Sequence, residues 1–164
     1  MSKNRKIALL SMCACLAMLL SFVESRIPHL TAIPGIKMGL ANIAVIFALY
    51  KFGVKEAAVV SILRALIVAM LFGSPVSLMY SAAGAVLSLL VMVLLKKLTP
   101  LGEVAVSVCG GVMHNVGQIG MASILLDTNV VVYYLPFLLL SGTVAGIVVG
   151  IASALLVKRI NIKK

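Results

Sequence analysis

Arg64 is the most unusual polar residue of the sequence, because it lies near the middle of an apolar segment that runs from Lys55 to Phe72. An arginine at the centre of a membrane-spanning helix costs about 2.5–3.5 kcal/mol on insertion scales, so it normally faces the interior of a helix bundle. One interpretation is structural: the guanidinium pairs with carbonyl groups of neighbouring helices or extends toward the membrane surface. The functional interpretation is a cation that binds an anionic ligand.

A second polar cluster, near the midpoint of the apolar segment 104–126, consists of His114, Asn115 and Gln118. His114 and Gln118 are four residues apart and share one helix face, whereas Asn115 points about 100° round the axis. Glycines around the cluster let another backbone or a ligand come close. They are Gly110, Gly111, Gly117 and Gly120. The cluster indicates either hydrogen bonds between helices or a polar binding site.

A third feature is the stretch Pro34-Gly35-Ile36-Lys37-Met38-Gly39-Leu40-Ala41-Asn42. Proline and glycine end any helix that arrives from outside, and a new helix is predicted to start near Lys37. The free N–H groups and the dipole of a helix start favour an anion there. Lys37 and Asn42 are therefore candidate ligand contacts, and an ordinary reentrant connection is the alternative explanation.

Motifs of catalysis and metal binding are absent from the sequence. It has no Gly-x-x-x-x-Gly-Lys-Ser/Thr loop for a nucleotide, and its only aspartate, Asp127, cannot form an acidic pair for magnesium-dependent diphosphate chemistry. No histidine or cysteine falls at ligand spacing, and we expect Cys13, Cys15 and Cys109 to be buried apolar residues without disulfides. The sequence therefore predicts no enzyme active site, no metal site and no cofactor.

The amino-acid composition indicates the class of protein to which these residues belong. Of the 164 residues 63% are apolar and only 11% are charged, and the mean hydropathy is +1.22. Soluble domains carry about 25% charged residues, so a soluble domain is excluded, as are disordered and fibrous chains. At about 20 residues for each spanning helix, the length allows about six or seven helices. We expect one all-α, polytopic membrane domain over residues 1–164.

Six apolar segments are separated by charges and turn formers. They are Ile7–Val23, Ile36–Tyr50, Lys55–Phe72, Val76–Leu95, Val104–Leu126 and Val131–Val157. The uninterrupted apolar part of the second segment, Leu40–Tyr50, is too short to cross a bilayer alone. Lys3, Arg5 and Lys6 precede the first segment, but no small-residue cleavage site follows it, so we expect a retained helix rather than a signal peptide.

The charges predict the orientation of the segments. The chain has 14 Lys and Arg against 4 Asp and Glu, a net charge of +10. Cytoplasmic loops of membrane proteins collect basic residues, so this excess does not require nucleic acid as a partner. With the N-terminus inside, Arg26 and Lys37 lie outside and Arg64 lies within a segment, which leaves 14 − 3 = 11 basic residues on the inner side. Six crossings with both termini cytoplasmic are predicted.

Small residues recur every four positions on two segments, where they permit close contact between helices. They are Cys13, Ala17 and Ser21 in the first segment and Gly142, Gly146 and Gly150 in the sixth. Both stripes predict either packing within the chain or contact with a partner protein.

Four motifs together carry a family resemblance. They are Pro34-Gly35-x-Lys37-x-Gly39-Leu40-Ala41-Asn42, Leu63-Arg64, His114-Asn115-x-Gly117-Gln118 and Tyr133-Tyr134-Leu135-Pro136. From about Ile7 to Ile160 the sequence resembles the small bacterial membrane proteins called Gx transporters, also labelled heptaprenyl diphosphate synthase component I. That family is grouped with the substrate-binding S components of energy-coupling-factor (ECF) vitamin transporters.

The resemblance implies a six-helix S component of the bacterial plasma membrane, which captures a small anionic metabolite such as a vitamin or an isoprenoid or quinone precursor. A transmembrane coupling subunit and cytoplasmic ATPases are its implied partners, and on the first helix Cys13-x-x-x-Ala17-x-x-x-Ser21 stands where S components commonly carry Ala-x-x-x-Ala. The implied pocket residues are Lys37, Asn42, Arg64, His114, Asn115 and Gln118. The alternative is a noncatalytic membrane subunit of a heptaprenyl diphosphate synthase or a related isoprenoid or quinone pathway enzyme.

Overall fold

The computed structural model describes residues 3–26, 39–72, 75–128 and 130–160, and within these ranges the chain is helical with no β-strand. A 3₁₀ turn over Val130–Tyr134 precedes the last helix. The helices are α1 (Lys3–Arg26), α2 (Asn42–Lys51), α3 (Val54–Phe72), α4 (Pro75–Leu98), α5 (Glu103–Leu126) and α6 (Leu135–Arg159). The predicted all-α class is confirmed.

Three helical segments are long and apolar enough to cross a membrane, as expected of a membrane protein. They are Lys3–Glu24, Leu78–Leu98 and Val130–Arg159. The two remaining long helices, α3 and α5, contain charged or polar side chains within their apolar runs. In α3 these include Arg64, and α5 contains the cluster 114–118.

The second helix begins at Asn42, later than the sequence predicted, whereas the expected start at Lys37 lies outside the described residues. Gly39 has a φ of +73°, a left-handed conformation that interrupts a helix and favours glycine. The N–H groups of Asn42 and Ile43 then bond to the carbonyl groups of Gly39 and Leu40 in the first turn. With 10 residues α2 is about 15 Å long, half the thickness of a bilayer core.

The short helix α2 forms the centre of the core. Six consecutive residues from Ala44 to Leu49 are buried, because α1, α3 and α6 surround the helix on all sides. At its C-terminal end Lys96 of α4 donates a 2.5 Å hydrogen bond to the carbonyl of Leu49, and its ammonium lies 4.7 Å from the ring centre of Tyr50. Lys96 thus satisfies a helix-terminal carbonyl that has no partner within α2.

Helices α4, α5 and α6 pack with their backbones in contact. A Cβ added to Gly117 of α5 would lie 2.8 Å from the carbonyl oxygen of Ala83 in α4. On the other side of α5, a Cβ added to Gly146 of α6 would lie 2.6 Å from the Cα of Val108. Only glycine permits these approaches, so α5 is held closely between its two neighbours.

The small residues of α1 face the interior of the bundle. Cys13 and Ala17 are buried in the core, and Ser21 is half-buried. The expectation that all three cysteines are buried is confirmed for Cys13, but Cys109 is only half-buried and Cys15 is exposed. Cys15 follows Cys13 by two residues, about 200° round the helix, and therefore lies on the outer face of α1.

Candidate functional site

His114 and Gln118 of α5 lie against α4, and both side chains are buried. The contact point on α4 is Gly84. A Cβ added there would lie 2.9 Å from Nδ1 of His114 and 3.0 Å from Cγ of Gln118. Within the described part of the chain, Oε1 of Gln118 has no hydrogen-bond partner. Gly84 therefore provides the space in which these two polar side chains sit.

Asn115 faces α6 instead. Its Nδ2 donates a 2.6 Å hydrogen bond to the carbonyl oxygen of Leu138. A Cβ added to Gly142 of α6 would lie 2.7 Å from the same nitrogen. The 100° offset from His114 therefore directs Asn115 to a different neighbouring helix, where its amide joins α5 to α6.

Arg64 of α3 is buried, with 7% of its surface exposed. Among the described residues, no hydrogen-bond acceptor contacts its Nε–H. The structure thus places a cation inside the bundle with at least one donor available.

Glu24, in the last turn of α1, fixes the start of α2. Its Oε1 accepts a 2.6 Å hydrogen bond from the backbone N–H of Gly39. Gly39 in turn accepts a 2.8 Å hydrogen bond from the N–H of Asn42, the first residue of α2. Asn42 is half-buried and is positioned by this turn.

A small cavity of about 20 Å³ lies where the start of α2 meets α5 and α6. Its polar lining consists of Asn42, Ser107, His114 and Asn115, and most of the remaining wall is glycine and alanine. A volume of about 10–15 Å³ is enough for one water molecule, so the cavity holds one oxygen-sized group. Three of the residues predicted from the sequence therefore meet at one place.

The other predicted residues lie elsewhere. Arg64 and Gln118 are buried but do not line this cavity, and Lys37 lies outside the described residues together with Pro34 and Gly35. Among the residues the structure describes, no three His, Cys, Asp or Glu side chains group together as metal ligands would.

Two residues of the site had no role in the sequence-based prediction. Ser107 lines the cavity and comes seven residues before His114, two helical turns away on the same face of α5. This seven-residue spacing from His114 could have identified Ser107 from the sequence. Glu24 sits near the end of an apolar segment, and nothing in the sequence indicated that it would reach Gly39.

The glycine stripe of α6 forms the wall opposite α5. A Cβ added to Gly111 of α5 would lie 2.7 Å from the carbonyl oxygen of Gly142, and one added to Gly150 would lie 2.7 Å from the Cα of Val104. Gly142, Gly146 and Gly150 are all buried. The stripe lies inside the chain, against α5, and two of its glycines line the cavity.

A family model described as heptaprenyl diphosphate synthase component I matches residues 13–156, which is most of the chain. The match covers all the described site residues. No curated protein and no solved structure shows a significant match to the sequence.

Proposed function

The chain belongs to the heptaprenyl diphosphate synthase component I family, and on this premise we propose that it is a noncatalytic membrane subunit that binds a small anionic metabolite for uptake. In this proposal it acts as the S component of an ATP-driven transporter of the ECF type. The metabolite is a vitamin or an isoprenoid or quinone precursor. The observation that carries the proposal is the buried guanidinium of Arg64.

A buried arginine favours an anionic ligand for a physical reason. A guanidinium has five N–H donors, and a buried charge is stable only when it is paired and hydrogen-bonded. Its planar pair of donors matches the two oxygens of a carboxylate or a phosphate. Asn42 and His114 supply further polar groups at the cavity between α2 and α5, and Lys37 is proposed to contribute a second cation.

The proposed topology has six crossings in the bacterial plasma membrane, with both termini in the cytoplasm. The distribution of basic residues supports it, because 11 of 14 then lie on the inner side. The 10 residues of α2 cover about half of a bilayer core, so the proposed second crossing also includes residues before Asn42.

A partner subunit is implied by the name of the family, because a component I has at least one companion. We propose that the companions are a transmembrane coupling subunit and cytoplasmic ATPases. The chain has no nucleotide-binding loop of its own, so the energy for transport comes from another protein.

A second candidate function follows from the same family name. In this alternative the chain is the noncatalytic membrane subunit of a heptaprenyl diphosphate synthase. It then holds a soluble prenyltransferase at the membrane, where long isoprenoid products dissolve. Polar atoms of Arg64 and Gln118 have no partner among the described residues and no evident task in such an anchoring role, which is why transport is preferred.

Purification of the tagged protein from its native membrane tests the two proposals. Co-purified ATPases together with a coupling subunit support the transporter. A soluble prenyltransferase in their place supports the synthase subunit and contradicts the transporter. Mass spectrometry of small molecules retained by the wild-type protein, but not by Arg64→Leu, identifies the metabolite.

Reconstitution of the protein alone into vesicles tests the absence of pumping. Because the chain has no means of using ATP, a radiolabelled form of that metabolite is expected to reach equal concentrations inside and outside. Accumulation driven by an ion gradient would instead identify a secondary transporter.

A further inference from the structure

The cavity at the junction of α2, α5 and α6 differs in chemistry from the surroundings of Arg64. Its polar lining is Asn42, Ser107, His114 and Asn115, none of which carries a fixed charge. Asn115 already donates to the carbonyl of Leu138, so it forms part of the wall. The cavity therefore suits an uncharged polar group.

The fold does not explain why Ser107 has a buried hydroxyl group. Only 3% of its surface is exposed, and its Oγ has no hydrogen-bond partner among the described residues. A buried hydroxyl without a partner destabilises a folded protein. Because this hydroxyl borders a cavity, a group placed in the cavity can satisfy it.

The volume limits what that group can be. About 20 Å³ exceeds the roughly 10–15 Å³ that one water molecule needs, but it does not admit a second heavy group. The walls cannot recede easily, since Gly111 and Gly142 already bring the backbones of α5 and α6 into contact. A single hydroxyl, carbonyl or water oxygen fits.

We infer that this cavity is a subsite for one neutral oxygen of the ligand, with the hydroxyl of Ser107 as its hydrogen-bond partner. The inference rests on the proposed function and adds a substrate class to it. The metabolite carries a hydroxyl or carbonyl oxygen in addition to its anionic group. A plain hydrocarbon chain on a carboxylate or phosphate does not use the subsite.

Two pairs of anions that differ only in hydroxyl groups test the inference: lactate with propionate, and glycerol phosphate with propyl phosphate. Their dissociation constants are obtained from the dependence of the melting temperature of the purified protein on ligand concentration. We expect the wild type to bind the hydroxylated member of at least one pair about ten-fold more tightly, the effect of one good hydrogen bond.

Ser107→Ala is expected to reduce that preference to less than about two-fold while leaving the affinity for propionate and propyl phosphate unchanged. Its melting temperature without ligand is expected to equal or exceed the wild-type value, because the substitution removes a buried hydroxyl that has no partner among the described residues. Ser107→Cys, which keeps the size but has only a weak donor, gives the same loss should the alanine variant fold poorly.

Ser88→Ala is the matched control. Ser88 is equally buried and its Oγ also has no partner within the described residues, but it lies on α4 near Gly110 and outside the cavity. This variant is expected to keep the ten-fold preference.

Two results overturn the subsite: equal affinity of the wild type for both members of each pair, or a preference that survives in Ser107→Ala. If propionate, propyl phosphate and inorganic diphosphate still bind and lose their binding in Arg64→Leu, the proposed function stands without the subsite. If none of these anions binds the wild type, both the subsite and the proposed anion site are wrong.

Discussion

The backbone N–H of Gly39 donates a 2.6 Å hydrogen bond to Oε1 of Glu24. This bond joins the last turn of α1 to the turn that starts α2, although 14 residues separate the two in sequence. This acidic side chain thus joins the last turn of α1 to the turn that precedes α2.

Replacement of Glu24 by alanine is expected to destabilise the protein. A hydrogen bond to a charged group contributes about 1.5–3 kcal/mol, and Glu24→Ala removes the one that Gly39 donates. Thermal unfolding in detergent measures the effect. The melting temperature of Glu24→Gln, which keeps an oxygen acceptor for Gly39, should lie between those of the wild type and Glu24→Ala. A wild-type melting temperature for Glu24→Ala would show that the bond contributes nothing.

Arg64→Leu is expected to abolish the binding of inorganic diphosphate without preventing insertion, because leucine removes a charge that is costly within a membrane. Arg64→Lys keeps the fold but binds more weakly, since an ammonium lacks the paired donors of a guanidinium. Ligand-dependent thermal stabilisation measures both, with Ser88→Ala as control. Normal binding with a lowered melting temperature in Arg64→Leu would make the arginine structural.

Asn115 is expected to behave differently from its neighbours in the cavity. Asn115→Ala loses the bond to Leu138. Hydrogen bonds between membrane helices contribute about 0.6 kcal/mol on average and about 1.7 kcal/mol at most, so a loss of this size is expected. His114→Ala and Asn42→Ala should instead weaken anion binding by about 1–3 kcal/mol each. Melting temperatures with and without ligand separate the two effects. Unchanged stability in Asn115→Ala would contradict the assignment.

Two glycine substitutions on the bundle are expected to have opposite effects. Gly146→Ala places a Cβ 2.6 Å from the Cα of Val108, and such overpacking costs about 1–3 kcal/mol. Gly120→Ala meets nothing within 4 Å and should gain about 0.5–1 kcal/mol of helix stability. Thermal unfolding of the two variants measures both changes in stability. Equal melting temperatures would argue against the close packing of α5 on α6.

The proposed topology predicts that Lys3 and Lys164 lie on the same, cytoplasmic side. Single cysteines at these positions, in a background without Cys13, Cys15 and Cys109, should react with a membrane-impermeant reagent only after the cells are opened. Reaction in intact cells at either position would contradict six crossings with cytoplasmic termini.

The helices themselves were largely predictable from the sequence. The predicted segments 55–72 and 104–126 agree with α3 and α5 to within one residue at each end, because charges and turn formers bound each apolar run. The second helix was predicted to start too early. Its true start depends on the left-handed conformation of Gly39, and a glycine in a sequence does not reveal which conformation it adopts.

The types of residue in the candidate site could be predicted from the sequence, but the contacts that each residue makes could not. Polar side chains at 114, 115 and 118 indicated hydrogen bonding at mid-helix, and the structure buries all three. That Asn115 bonds to Leu138 could not be read from the sequence, because an amide can serve a carbonyl of another helix or a ligand equally well. Ser107 was overlooked since a serine in an apolar helix usually bonds within its own helix.

The glycine contacts between α5 and α6 have a consequence for how a metabolite reaches the site. A side chain can rotate to a new rotamer and open a path, but a wall made of main-chain atoms has no such freedom. Because the backbones at Gly111 and Gly142 are in contact, that side of the cavity has a fixed shape. Any widening beyond one oxygen atom therefore requires movement elsewhere in the lining, such as the turn at Gly39, whose N–H is bonded to the carboxylate of Glu24.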